Sequence, residues 1–174
     1  AEVDALAKVA SQAPYGQGSL TLVNKDVRNA LQIEPKDFSF ANPNWDRAVK
    51  LMTDHIARFF DIDPEYVEAK IYKLVLYRKG GHFKPHKDTE KHVGMFGTLV
   101  IQLPGSSYSG GRSIVRHRGV EKVYDFRNYW YSPVLTFCDK NTFGRDNVSS
   151  CAFYAHYADC EHEVQEVKSG VRLV

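Results

Sequence analysis

An excess of charge of one sign is missing from this chain: 23 Lys and Arg stand against 21 Asp and Glu, a formal charge of +2, with the basic residues dispersed. The electrostatic footprint of a nucleic-acid binder is therefore absent, and a neutral or mixed-charge substrate, either a protein or peptide or a small molecule, is expected instead. Cysteine is scarce. Cys138, Cys151 and Cys160 are an odd number without the C-x-x-C spacing of zinc and redox sites. That argues against a disulfide scaffold and for a reducing compartment, hence a cytoplasmic or otherwise intracellular location. Long apolar runs are lacking too, all falling far short of the roughly 20 residues of a membrane span. No positive-then-apolar leader opens the chain, and no membrane partner is expected. Repeats, low-complexity tracts and linkers are likewise missing.

What is present suits one globular domain. The length is 174 residues, with 43% apolar and 13% aromatic residues, ordinary globular usage and enough for a single core. The domain is expected to span 1–174, with 1–68 as a helical and strand N-terminal support and 69–174 as a jelly-roll core. The chain opens at Ala1 without a methionine and stops two residues after Arg172. A processed or trimmed piece is therefore expected, with the last barrel strand continuing past Val174.

Residues 2–10 suit one or two helical turns, and SLTLV (19–23) a short strand. Asn42 suits an N-cap and Pro43 the first helical position, and Trp45, Val49, Met52, Ile56 and Phe59 or Phe60 recur at three- and four-residue steps. This predicts an amphipathic helix of about four turns laid on a sheet and ended by residues 61–64. After Glu68 the period becomes that of a strand, with Ile71, Val75 and Tyr77 on one face and Tyr72, Leu74 and Leu76 on the other. Both faces are apolar, which assigns the outer face to that helix and the inner face to a barrel interior. Further strands are expected in 95–103, beside the Gly110-Gly111 turn, and in 122–126, 132–138 and 151–167, with SGVRLV last. Short strands separated by glycine turns and preceded by helix predict a mainly β fold, a double-stranded β-helix packed against N-terminal helices.

The chemistry concentrates in KLVLYRKGGHFKPHKDTE, residues 73–90. On an extended backbone residues two apart share a face, so His86 and Asp88 converge. His162, in YADCEHEVQEVKSGVR, is the best third ligand, sharing a strand face with Cys160 and Val164. Two histidines and one carboxylate with other positions open is the donor set of non-haem Fe(II) oxygenases. Arg172 follows His162 by ten residues. An inward arginine is costly unless it meets a carboxylate, which a dicarboxylic cosubstrate supplies bidentately. Tyr77 ends the inner face of its strand and can reach the same pocket.

The order Tyr77, Gly80, Phe83, His86-x-Asp88, Thr98, Gly110-Gly111, His162, Val167, Gly170, Arg172 resembles the prolyl-4-hydroxylase type of Fe(II)- and 2-oxoglutarate-dependent dioxygenases, over roughly residues 70–174. The resemblance implies that His86, Asp88 and His162 are the catalytic metal ligands. It implies that Arg172, Tyr77 and Gln102 bind the cosubstrate, Gln102 falling where relatives often have a tyrosine. Fe(II), 2-oxoglutarate and O2 are the implied cofactors, with ascorbate as a support of activity. The implied reaction hydroxylates an unactivated C–H bond, on a peptidyl prolyl or similar side chain, and releases succinate and CO2. Asp88 argues against halogenation, because related halogenases carry a small residue there. Phe83 stands where collagen-type prolyl hydroxylases carry a second tyrosine near the substrate, and Arg172 is more like the oxygen-sensing branch.

The other histidines are assigned blander places. His82 and His86 are four apart, but Gly80, Gly81 and Pro85 exclude the helix such a zinc pair needs, so His82 is a loop or rim residue. His92, His117 and His156 have no acid two residues on and receive no catalytic role. The competing function is a non-catalytic cupin-like module that binds a metal or small ligand; a buried Arg172, which such a module does not need, separates the two.

Overall fold

The computed structural model describes residues 2–18, 20–103, 107–126 and 152–174. Among these the chain is mainly β, with two α-helices, α1 (Glu2–Val9) and α2 (Trp45–Phe59). The early strands are β1 (Ser11–Gln12), β2 (Tyr15–Gln17), β3 (Leu20–Leu22), β4 (Arg28–Asn29) and β5 (Leu31–Ile33). After α2 come β6 (Leu74–Arg78), β7 (His82–His86), β8 (Gly97–Gln102), β9 (Ser109–Gly110), β10 (Ser113–His117) and β11 (Val120–Tyr124). The last four are β12 (Ala152–Tyr157), β13 (Glu161–Val164), β14 (Val167–Ser169) and β15 (Val171–Leu173). The expected strand at 132–138, with Cys138 and Cys151, lies outside the described residues. Among the described residues no helix is long and apolar enough to cross a membrane.

Among the described residues every strand pairing is antiparallel. One sheet runs β1-β5-β6-β15 and a second β11-β10-β13-β7-β4, while β12-β8, β14-β9 and β2-β3 form pairs. The end of β8 reaches β15 through Leu103 N–H, which donates to Leu173 O at 3.0 Å. Strands from the first 68 residues thus enter both larger sheets, β5 beside β6 and β4 beside β7.

Alternation along β6 decides what each face meets. Val75 and Tyr77 turn inward to Ala13, Ala30, Phe83, Val164 and Val167. Leu74 and Leu76 turn outward with Ile33 and Leu173 to a layer containing Val3, Leu6 and Ala7. The outer cover of β6 is therefore α1, which corrects the assignment of the long helix to that face. Val3, Leu6, Ala7 and Ala10 have the spacing of one helical stripe. The long helix instead buries Ala48, Met52 and Ile56 against Phe153 of β12, with Leu99 and Ile101 of β8 alongside. Its start is two residues later than expected. Asn42 bends the chain ahead of it, its Oδ1 accepting from Asn44 N–H and its carbonyl from Trp45 N–H, both at 3.0 Å. Ile71 and Tyr72, expected in the strand, precede β6 and are half exposed.

The Gly110-Gly111 turn sets up the interior. Both residues have positive φ, 73° and 64°, where a side chain is strained. A Cβ on Gly110 would stand 2.3 Å from the Glu166 carbonyl oxygen, a backbone atom held beside the β9-β14 pairing. We expect Gly110→Ala to cost about 2–3 kcal/mol, from strain in the left-handed region plus the clash. Urea denaturation checks this, and an unchanged midpoint at unchanged slope would contradict it.

Candidate metal centre

β7 and β13 are hydrogen-bonded neighbours whose register sets His162 opposite His86. The β7 backbone carries His86 inward, and the chain leaves the strand before Asp88, two residues on. One ligand atom from each of His86, Asp88 and His162 lies within 4.8 Å of the others. His162 Nε2 is 3.6 Å from Asp88 Oδ1. That is too long for a hydrogen bond and less than twice a metal–ligand bond of about 2.1 Å. Among the described residues this is the one cluster of three such groups.

The donor set fits a divalent metal at its free atoms. His86 Nδ1 lies 2.8 Å from Lys84 O, and His162 Nδ1 lies 3.1 Å from Cys160 O. A carbonyl only accepts, so both Nδ1 atoms carry the proton and both Nε2 lone pairs remain for coordination. The Thr98 hydroxyl donates to Asp88 Oδ2 at 2.6 Å and leaves Oδ1 facing His162. Phe83 stacks on the His86 ring at 3.5 Å, and the Arg28 guanidinium covers the far face of that stack, 4.5 Å from the Phe83 centroid. Each ligand ring is thus fixed by a neighbour before any ion arrives.

Burial, with the neighbouring His162 adding to it, pushes His86 down from its ordinary 6.5 to about 4. The imidazole is accordingly neutral, the form that binds metal. Because the folded pKa lies below the unfolded one, the unfolded chain holds more protons between about pH 4 and 6.5. Stability from this group is full above that window and is lost as pH falls through it, by at most on the order of 3 kcal/mol before solvent screening. Denaturation of metal-free protein at stepped pH should show that loss, and His86→Ala should flatten part of it; parallel profiles for the two proteins would contradict the assignment.

Arg172 on β15 is 0% exposed. Its Nε donates to Gln102 Oε1 at 3.1 Å, one terminal nitrogen to Gly111 O at 2.8 Å and the other to Ser113 Oγ at 2.9 Å. All three acceptors are neutral, and no described carboxylate pairs with the guanidinium. Tyr77 faces Arg172 across the β6-β15 pairing, its ring centroid 5.9 Å from the guanidinium carbon. Gln102 is held from behind: its Nε2 donates to Leu103 O and Leu173 O, and Tyr108 Oη donates to its Oε1. The structure therefore brings His86, Asp88 and His162 together, and sets Tyr77 and Gln102 about Arg172. A polar line joins the two groups. Tyr154 has Arg172 among its electrostatic neighbours and lies 6.0 Å, ring to ring, from His156, which in turn lies 4.2 Å from His162.

Reading the residues alone misses Thr98 as the partner of Asp88, Ser113 and the Gly111 carbonyl as partners of Arg172, and the closeness of His156 to His162. Tyr154 and His156 stand two apart on one strand, a spacing that could have marked them as sharing a face. Two basic residues near the glycine turn are matched by acids: Arg112 pairs with Asp125 at 2.9 Å, and Arg116 with Glu121 at 2.7 Å and Glu163 at 2.6 Å. His82 sits at the start of β7 with its nitrogens on Gly80 O and Asp26 O.

No family model matches the chain, and no curated protein matches its sequence. Among solved structures, a Pseudomonas putida prolyl-4-hydroxylase superposes with a TM-score of 0.53 at 14% identity, covering 99% of this chain and 76% of that one. The chain shares its fold. A Burkholderia pseudomallei oxidoreductase of the 2OG-Fe(II) oxygenase family gives 0.48 at 15% identity, over 99% of this chain and 74% of that one. The resemblance to the prolyl-4-hydroxylase type drawn from the motif order thus holds at the level of the fold.

Proposed function

We propose that this chain is an Fe(II)- and 2-oxoglutarate-dependent oxygenase that hydroxylates an unactivated C–H bond of a protein, peptide or small-molecule substrate, a peptidyl prolyl or similar side chain among the candidates. The reading takes the fold as one domain over 1–174 with a double-stranded β-helix in 69–174. The β7-β13-β10-β11 strands would be one layer of it, and β6-β15 together with the separate β8-β12 pair, connected by the Leu103–Leu173 hydrogen bond, would be the other.

The observation that carries the proposal is Arg172. A guanidinium removed from water without a counter-charge is expensive to keep, and its neutral partners satisfy only its hydrogens. An anion entering beside it would supply the missing charge, and a dicarboxylate would keep its second carboxylate for the metal group. In this reading His86 Nε2, His162 Nε2 and Asp88 Oδ1 would hold the iron, which when bound would supply the oxidative decarboxylation of 2-oxoglutarate by O2 to succinate and CO2, one oxygen atom of O2 ending in succinate and the other in the hydroxylated product. Thr98 keeps Asp88 Oδ1 turned to the ion. Gln102 and Ser113 hold the guanidinium plane, and Tyr77 walls the cosubstrate end. Buried Phe83 and Val164 exclude water from the flank of His86. Incubation with Fe(II), ascorbate and 2-oxoglutarate tests the reaction. Succinate above the no-enzyme level, lost on chelation of the metal, is the expected result; none, even with peptide substrates, would overturn it.

A further inference from the structure

His156 is a third imidazole in this interior, and neither the ligand set nor the Arg172 group uses it. It lies on β12, 4% exposed. Its ring is tilted 40° against that of His162, with centroids 4.2 Å apart. Its cross-strand neighbour is Thr98, whose hydroxyl holds Asp88. His156 is thus beside two of the three ligands, although its nitrogens lie outside the cluster that meets within 4.8 Å.

The hydrogen bonds fix which nitrogen is free. His156 Nδ1 lies 2.9 Å from Tyr157 O, and a carbonyl can only accept, so Nδ1 carries the proton. Nε2 is then a bare lone pair, buried, with no hydrogen-bond partner among the described residues. An unsatisfied buried acceptor is costly, and in a polar interior such atoms are met by ordered water.

We propose that His156 is a positioning residue whose Nε2 accepts a hydrogen bond from a water on the open side of the His86–Asp88–His162 site. The inference rests on the metal reading above. A water that gives a lone pair to a cation becomes a strong hydrogen-bond donor and a poor acceptor, which matches a group that can only accept. His156 then decides how firmly the open side is occupied before a cosubstrate displaces that water, and it does so without being a ligand.

Cobalt(II) reconstitution of the intact chain tests this without turnover. The visible absorption of cobalt(II) strengthens as its coordination number falls. His156→Phe removes the acceptor, and the band is expected to rise roughly twofold or more as the held water is lost, with metal affinity changed by less than about tenfold. His156→Gln, which returns an acceptor oxygen near the Nε2 position, should restore the wild-type spectrum. His156→Leu replaces the Phe variant if circular dichroism shows the latter unfolded. A His156→Phe spectrum equal to wild type overturns the proposal, and so does a loss of affinity beyond about 100-fold, which would make His156 a ligand. The metal reading fails separately: wild-type protein would then take up no cobalt at all.

Discussion

Arg172→Met is expected to weaken 2-oxoglutarate binding roughly 100-fold or more, the scale of removing one partner of a buried hydrogen-bonded charge pair. Metal affinity should stay within a few-fold of wild type. The asymmetry follows from the layout: Arg172 touches Gln102, Gly111 and Ser113 but none of the three candidate ligands. The substitution also strips those acceptors of their donor, at about 1–3 kcal/mol for each left unsatisfied, so titrations belong well below the variant's own melting temperature. Arg172→Lys keeps the charge but loses the planar fork, and its affinity should fall between the two. In wild type, saturating 2-oxoglutarate with metal should raise the melting temperature by mass action. Calorimetric titration with a redox-inert divalent metal reads both affinities. Equal losses of metal and cosubstrate binding in Arg172→Met would contradict the division of labour.

His86→Ala should be as severe in the opposite sense. Two donors remain where three converge, and the cavity left against Phe83 admits water, so metal affinity should drop by more than about 100-fold, beyond the cost of losing an outer partner alone. Thr98→Val supplies the comparison. It frees the Asp88 carboxylate to rotate without removing a donor, and about a 10-fold loss is expected. A chelator-competition titration ranks the three proteins, and Thr98→Val binding metal more weakly than His86→Ala would invert the assigned roles.

The convergence of His86 and Asp88 was legible from their two-residue spacing, although β7 ends at His86 and Asp88 reaches the cluster from just past the strand rather than by alternation along it. Their meeting with His162 was legible only as chemistry, a third ligand being required. The β7-β13 register that realises it is a non-local pairing that no spacing encodes. The inner face of β6 followed from alternation, and Val75 and Tyr77 lie there as read. Its outer cover did not, because α1 and α2 both carry an apolar stripe and only packing decides which stripe meets Leu74 and Leu76. The two-residue delay of α2 has a local cause, the Asn42 side chain capturing Asn44 N–H and bending the chain first. The partners of Arg172 were hidden for a different reason: one is a backbone carbonyl, presented by the glycine turn, and carries no signature of its own. His156 lacks an acid two residues on, and what sets it apart is an empty Nε2, a property of the packed interior.

The most direct test is an anomalous-scattering map from crystals grown with a divalent transition metal. The account predicts one peak within bonding distance of His86 Nε2, Asp88 Oδ1 and His162 Nε2. A peak at other residues, or none at full occupancy of the metal in solution, would contradict it.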